Sequence, residues 1–435
     1  MKAVQLTRAT GTAALVIATL TVAGCSAPPS APSGDGSALT VWLDAPRLAA
    51  GQAYAEAHPE MDIRIVTVDK STVLSKINLA NQARSGWPDM VWPGDPATVG
   101  LLSSPQIAYA TDISEFVPDD VRGEFAEGAL AGCEIDGGLY CLRNDLGQTV
   151  LWYDQMLMDE YGYEIPTTWD EYAALGETVA EEHPGTIIGT LGGKTGAGTY
   201  FVSSECETRN LLSSTEVGIK VSSENCTRVA DLLQPLVENG SVAPLDYADP
   251  TIAQLGAEDK ILMMPGPSYY GAFAFRDAYH IPEGRIAAAA MPTWAGESGP
   301  VAGSAGGGIL VVSDHSSPEV QQAATEMALW MTTDVDLQKA LPTFPAYAPA
   351  AARWCEVQAE TKYFASDPCD TMIEMAPLVS PTFGSVTYQP EWETTYNATI
   401  VAAAGQKGSL RDALETWGKQ LTSAAQNQGY SVVTK

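Results

Sequence analysis

From residue 39 onward, short apolar runs alternate with longer segments of helical period, and that alternation confines the chain to an α/β architecture. LTVWLD (39–44) has the make-up of a buried strand, and the Ala-rich LAAGQAYAEAH behind it reads as a helix that Pro59 stops. MDIRIVTV (61–68) alternates apolar and polar residues with the period of a strand. Ser71 is placed to cap a helix over STVLSKINLANQARSG that ends at Gly86, and DMVW (89–92) is a third strand. Asp95-Pro96 then opens a further helix with proline at its first position. Strands linked through helices in this order form a mainly parallel sheet, whose ligands bind beyond the carboxyl ends of the strands. In this chain those ends are Asp44 and the stretch Trp92 to Asp95.

The same idiom continues. TTWDEYAALGETVAEEH is a helix with a capping box at Thr168 and Glu171. IIGTLGG, KILMMPG and RIAAAAMPT read as strands, and TRVADLLQPLVENG and YYGAFAFRDA as helices. A strand at Ile309-Leu310-Val311-Val312 precedes a helix capped by Ser317, and the chain closes on the helical GSLRDALETWGKQLTSAAQNQ. Four hundred and thirty-five residues exceed what one hydrophobic core holds, so two lobes are expected.

The amino-terminal segment has a different character. Lys2 and Arg8 precede an apolar run, Ala13 to Val22, of about ten residues. A spanning helix needs roughly 20 apolar residues, whereas a run of this length fits the core of a signal peptide. It ends in Val22-Ala23-Gly24-Cys25, which resembles the lipobox of bacterial lipoproteins, so residues 1–24 are expected to be removed and Cys25 to carry lipid. The following SAPPSAPSGDGS has almost no apolar residue and is expected to form a tether over 25–37. Export explains the other cysteines, because six remain once Cys25 is set aside. They fall as neighbours, Cys133 with Cys141, Cys206 with Cys226 and Cys355 with Cys369, and are read as structural disulfides, the first stapling a hairpin turned at Asp136-Gly137-Gly138. Sequence alone leaves other pairings open.

The net charge is −30, and −32 without Lys2 and Arg8. A field of that sign repels nucleic acid and anionic lipid, and neither is expected as a partner. The four histidines, His58, His183, His280 and His315, are scattered without metal-ligand spacing. GSAGGG (303–308) lies before a strand where a phosphate loop would follow one. No metal and no cofactor is expected.

Taken in order, LTVWLDAPR, AEAHPEMDIRIVTV, SGWPDMVWPGD, DGGLYCLRNDLGQTVLWYDQMLMDEYGYEIPTTWDEY, DKILMMPGPSYYGAF and GGGILVVS resemble the extracellular solute-binding proteins of ABC importers. The likeness is to their carbohydrate-binding, maltose-binding-protein-like group, over residues 38–425. The resemblance implies a two-lobed type II periplasmic-binding-protein fold with the ligand between lobes joined by hinge strands. It implies an amino-terminal lobe of 38–146 and 292–345 and a carboxy-terminal lobe of 147–291 and 346–435, with crossings near Asn144 to Gln148, Ala289 to Pro292 and Phe344 to Tyr347. The function implied is capture of a sugar, expected to be an oligosaccharide, by a monomeric lipid-anchored protein on the outer face of the cell membrane, for delivery to the permease subunits of an importer.

A sugar-binding site needs aromatic faces for the C–H surfaces and planar polar groups for the hydroxyls. By position the resemblance puts Asp44, Arg47, Trp92 and Asp95 at strand ends, and Asn144, Asp145 and Gln148 on the hinge. It adds Tyr269, Tyr270, Gly307, Trp354 and Trp392. Competing readings make Asp95 a helix cap, Asp44 and Arg47 an ion pair with each other, and Trp42, Trp169 and Trp417 core residues. Ser268 and Gly308 stand where the family often has tryptophan, which shifts the expected stacking positions. Two rival functions share these residues: a glycoside hydrolase using Asp44, Asp95 and Asp145 as paired carboxylates, and a binder of polyamines or another non-sugar solute.

Overall fold

The computed structural model describes residues 38–213, 215–380 and 391–434. The expected signal segment, Cys25 and the tether lie outside the described residues. Strand β1 (Leu39–Leu43) buries Leu39, Val41 and Leu43 and leaves Thr40 and Trp42 half-buried. Helix α1 (Leu48–Ala57) turns Ala50, Gly51 and Tyr54 inward, and β2 (Ile63–Thr67) pairs parallel to β1 with Leu39 opposite Ile63. The cap of the next helix is Asp69 rather than Ser71, because its carboxylate accepts from the Ser71 N–H at 2.9 Å and so orders a short turn over 70–72. Helix α2 (Val73–Ala83) follows and stops at Arg84, left-handed at φ 52°, two residues before Gly86. Strand β3 (Met90–Val91), fully buried, pairs parallel to β1 and leads to α3 (Thr98–Leu102).

The next strand, β4 (Leu142–Arg143), belongs to this first sheet, and β5 (Thr149–Asp154) is the buried centre of a second sheet. Helix α4 (Trp169–Glu182) carries the expected capping box, with both hydrogen bonds formed between Thr168 and Glu171. Beyond α5 (Glu224–Asn239), β6 (Met263–Pro267) and β7 (Ile286–Ala289) flank β5 antiparallel on either side. Strand β8 (Ile309–Val312) returns to the first sheet, completing the order β2-β1-β3-β8-β4 with its last two strands antiparallel. Helices α6 (Pro318–Thr333), α7 (Ala348–Glu360) and α8 (Leu410–Asn427) complete the lobes. Ser317 is the residue before α6 but makes no side-chain cap bond. No helix among the described residues is long and apolar enough to cross a membrane.

All three neighbouring cysteine pairs are disulfides, with Cα separations of 5.0, 4.7 and 5.7 Å. Cys133–Cys141 brackets an antiparallel hairpin of Glu134–Ile135 and Gly138–Leu139, turned at Asp136 and Gly137 with positive φ.

Three segments run between the lobes side by side. Leu146 N–H donates to the Phe344 carbonyl at 2.8 Å, Ala346 N–H to Asn144 at 3.1 Å, Thr149 N–H to Gly303 at 3.0 Å and Ala305 N–H to Gly147 at 3.0 Å. The middle crossing therefore sits at 303–308, not at 289–292 as expected. The intervening chain stays on the second lobe: Thr293 N–H donates to Thr167, Trp294 packs on Trp169 at 5.6 Å and Glu297 pairs with Arg228 at 2.7 Å. After the third crossing the chain is still against the first lobe, where Ala348 N–H donates to the Glu124 carbonyl at 3.0 Å. It regains the second lobe at Phe364, stacked on Trp152 at 5.7 Å.

Candidate ligand-binding cleft

A cavity of about 430 Å³ opens between the lobes at the carboxyl ends of β1 and β3. The first lobe contributes Pro46, Arg47, Lys70, Trp92 and Gly94, and the crossings contribute Asp145, Gly306, Gly307, Gly308, Pro342 and Thr343. Lys194, Tyr247, Tyr269 and Phe273 face them from the second lobe. The volume is that of a small-molecule site, commonly roughly 300–1,000 Å³. A smaller cavity, about 280 Å³, adjoins it around Lys70, Ser71, Gly94, Asp95 and Lys194.

Arg47 is the centre of the first-lobe wall. Asp44 caps the turn over 45–47, accepting from the Arg47 N–H at 3.3 Å, and its other oxygen takes a guanidinium N–H at 3.3 Å. The Asp44–Arg47 ion pair, the competing reading of these two residues, is therefore present. The guanidinium carbon lies 4.2 Å from the centre of the Trp92 ring, and the second Nη is 3.9 Å from Asp145. Its Nε is buried with no partner among the described residues.

Asp145 is held from behind. Its Oδ1 accepts from Gly308 N–H at 2.8 Å and from the Asn144 amide at 3.0 Å. Arg143 ties the loop together by donating to the Asp145 and Gly306 carbonyls, each at 3.2 Å, and burial pushes its guanidinium down to about 10, so it stays charged at neutral pH. Gly306 and Gly307 take φ of 94° and 87°, a region that side chains rarely enter. At Gly308 a Cβ would meet the Trp92 ring at 1.9 Å. The absence of tryptophan at this position therefore has a packing cause: Trp92 fills the space.

Asp95 orders the turn ahead of α3 and bridges the lobes; α3 starts at Thr98 behind Ala97, so Pro96 stands before the helix and not at its first position. One oxygen accepts from Ala97 N–H at 3.0 Å, and the other accepts from Lys194 of the second lobe at 3.3 Å. Burial opposes its ionisation, but Lys194, Arg209 and the Ala97 N–H outweigh that and hold the carboxyl at about 2. A second contact joins the lobes where the Gln106 amide donates to the Gln428 carbonyl at 2.5 Å.

Of the residues singled out from sequence, Arg47, Trp92, Asp145, Tyr269 and Gly307 line the main cavity and Asp95 the adjoining one, with Asp44 directly behind Arg47. Asp44 and five others line neither cavity. Asn144 spends its carbonyl on Gln338 at 2.8 Å, and Gln148, fully buried, donates to the Met372 carbonyl at 3.1 Å. Tyr270 turns into the second-lobe core against Tyr247 at 4.5 Å. Trp354 packs on Phe344 and donates to the Leu341 carbonyl at 2.7 Å. Trp392 lies beneath Arg209 at 3.7 Å, its indole N–H on Thr208 at 2.9 Å, within a cluster that includes Tyr396 and Trp417. Lys70, Lys194, Tyr247, Phe273 and Thr343 escaped the sequence reading; all but Phe273 lie in a loop or at a helix start, where no periodicity marks the direction of a side chain, and Phe273 lies on the exposed side of the helix read at YYGAFAFRDA. The histidines sit apart from the cleft, His58 against Tyr54, His183 against Tyr161 and His315 against Trp87.

A sequence profile of the family described as bacterial extracellular solute-binding proteins matches residues 36–336. Arabinooligosaccharide-binding proteins of Halalkalibacterium halodurans and Bacillus subtilis are 28% identical over 144 residues and 25% identical over 186 residues. These matches cover 32% and 41% of this chain, and the chain spans only 31% and 42% of those relatives. Among solved structures, the galacto-N-biose/lacto-N-biose I-binding protein of Bifidobacterium longum superposes with a TM-score of 0.74 at 17% identity, covering 92% of this chain and 100% of that one. The sugar-binding protein MalE of Xanthomonas citri gives 0.72 at 13% identity, over 90% and 98%. At these identities the structural likeness establishes the fold, which is the two-lobed type II binding-protein fold. Because the family profile spans more than half of the sequence, this chain belongs to the bacterial extracellular solute-binding proteins.

Proposed function

We propose that this chain captures an oligosaccharide outside the cell and hands it to the permease subunits of an ABC importer, held at the membrane by a lipid on Cys25 and acting as a monomer without catalysis. The observation that carries the reading is the composition of the interlobe cavity. Tyr247, Tyr269 and Phe273 offer aromatic surface from the second lobe, while Arg47, resting on the Trp92 ring, and Asp145 offer planar polar groups opposite them. The names of the arabinooligosaccharide-binding relatives agree with it. We read the lobes as 38–146 with 308–345, and 149–302 with the chain from Phe364 onward, since these divisions follow the hydrogen bonds at the crossings.

The rival functions draw less support. A glycoside hydrolase needs a carboxyl with a raised pKa as its acid, whereas Asp95 is held at about 2. A polyamine site would present carboxylates to the ligand, whereas three cations, Arg47, Lys70 and Lys194, reach this cavity. The test is a thermal-shift screen of mono- and oligosaccharides beside spermidine. A sugar at about 100 times its Kd should stabilise the protein by roughly 2.7 kcal/mol. A transition that moves with spermidine and with no sugar would sink the proposal.

A further inference from the structure

We propose that Lys194 is the moving part of a charge latch, paired with Asp95 across the mouth when the lobes are closed and with Asp246 of its own lobe when they part, so that the closed form is populated without a ligand. The latch belongs to the lobes alone and stands whatever solute the cleft takes. First-lobe residues 95–106, which carry α3, meet the second lobe at both ends. At one end the Lys194 ammonium lies 3.3 Å from Asp95, and at the other the Gln106 amide donates to the Gln428 carbonyl at 2.5 Å. The second Asp95 oxygen accepts from the Ala97 N–H at 3.0 Å, which fixes the carboxylate toward the mouth. Arg209 of the second lobe, lying on Trp392, adds to the attraction at longer range. Opening the mouth therefore strips Asp95 of both cations that reach it from the second lobe.

Lys194 has a second carboxylate at hand. The Gly192 N–H donates to the Leu245 carbonyl at 2.8 Å, and a Cβ on Gly193 would stand 1.9 Å from Asp246 Oδ2, so Asp246 lies against the backbone just before Lys194. Its Oδ1 accepts from the Ala248 N–H at 2.9 Å, while Oδ2 has no hydrogen-bond or ion-pair partner among the described residues. Burial raises the Asp246 carboxyl above its ordinary value, with Glu393 and Asp249 adding to the rise and Lys194 opposing it. One ammonium thus acts on two carboxylates, one on each side of the mouth. The flexible four-carbon stem of a lysine reaches either by rotating its own bonds. The side chains of Lys194 and Asp95 are 34% and 18% exposed, so the pair biases the lobes rather than locking them. Such a bias leaves the cleft able to open and admit a ligand, and Lys194 then lines the cavity that closes around it.

The test is single-molecule energy transfer in the ligand-free protein, between dyes at two exposed positions, Lys76 in α2 and Glu177 in α4. Each dye is attached through an unnatural amino acid, which leaves the disulfides intact. Wild type should show a closed and an open population, and high salt should move it toward the open one by screening the pair. Lys194→Met should lower the closed-to-open ratio by at least about threefold, and Lys194→Arg should keep it near wild type. Asp246→Asn should raise the ratio, because the open form loses its partner for Lys194; loss of packing in the second lobe alone would not move it in that direction. The melting transition of each unliganded variant verifies folding. A ligand-free wild type that is wholly open overturns the latch, as does a ratio that either Lys194→Met or Asp246→Asn leaves unchanged. Neither result touches the carbohydrate reading, which the thermal-shift screen tests by itself.

Discussion

Arg47 and Trp92 form one unit, and Gly308 is the residue that permits it. The ring is buried to 1% exposure, and the guanidinium rests on its open face. Gly308→Ala would drive a methyl into the ring and displace the platform. Overpacking of this kind costs about 1–3 kcal/mol, so the urea midpoint should fall and ligand affinity should fall with it. Asp95 offers a separate test through pH. Its carboxyl is held below its ordinary value, so its stabilising contribution is complete above pH 3.8 and disappears as the pH falls toward about 2. Asp95→Asn keeps an acceptor for Ala97 but loses the charge. Wild type should exceed the variant by about 2 kcal/mol near neutrality, with the gap closing between pH 4 and 2; a gap that persists at pH 2 contradicts the assignment. Residues at strand ends were legible in the sequence because a strand's direction places them. Neighbouring positions were not separable: side chains alternate along an extended segment, so Asp145 faces the cavity while Asn144 turns to Gln338. Likewise only Tyr269 of the Tyr269-Tyr270 pair reaches the cavity, and Tyr270 enters the core.

Elements were read most accurately where two local signals agreed. Helix α4 has a cap, an apolar stripe and a glycine-free first turn, and its Trp169, Tyr172, Gly176 and Val179 form the buried face. Its capping box should have a measurable worth: Thr168→Ala is expected to cost about 1 kcal/mol in chemical unfolding, and a change near zero would mean that packing alone sets this end. The start of α2 was misplaced, because Ser71 alone was read as its cap. Asp69 and Ser71 both precede an apolar run, and the turn over 70–72 decides for the aspartate. The turn also sets Lys70 at the cleft edge, so a local capping choice places a cavity-lining side chain. The disulfides required no pairing across the chain, since each closes a loop of 8, 20 or 14 residues within its neighbourhood.

At the scale of the molecule, the alternation that starts at residue 39 accounts for the first sheet, and the apolar runs at 149–154, 263–267 and 286–289 for the second. The path between them was harder to read. The glycine run at 303–308 carries the middle crossing, and its lack of side chains gives no hydrophobic pattern from which to place it. That same absence of bulk lets Gly147 and Ala305 approach closely and leaves room for a cavity beneath. Two lobes meeting through three adjacent crossings form a hinge, and the Asp95–Lys194 pair spans the mouth that would close on a ligand. The central claim is that a carbohydrate binds in this mouth, and the most direct measurement is calorimetry of the sugar that best raises the melting temperature, titrated into the wild-type protein and into Trp92→Ala. One sugar should bind each wild-type molecule, and the variant should lose at least about tenfold in affinity, because the ring that holds the Arg47 guanidinium in the cleft is gone. Undiminished binding to Trp92→Ala would place the sugar elsewhere and contradict the account.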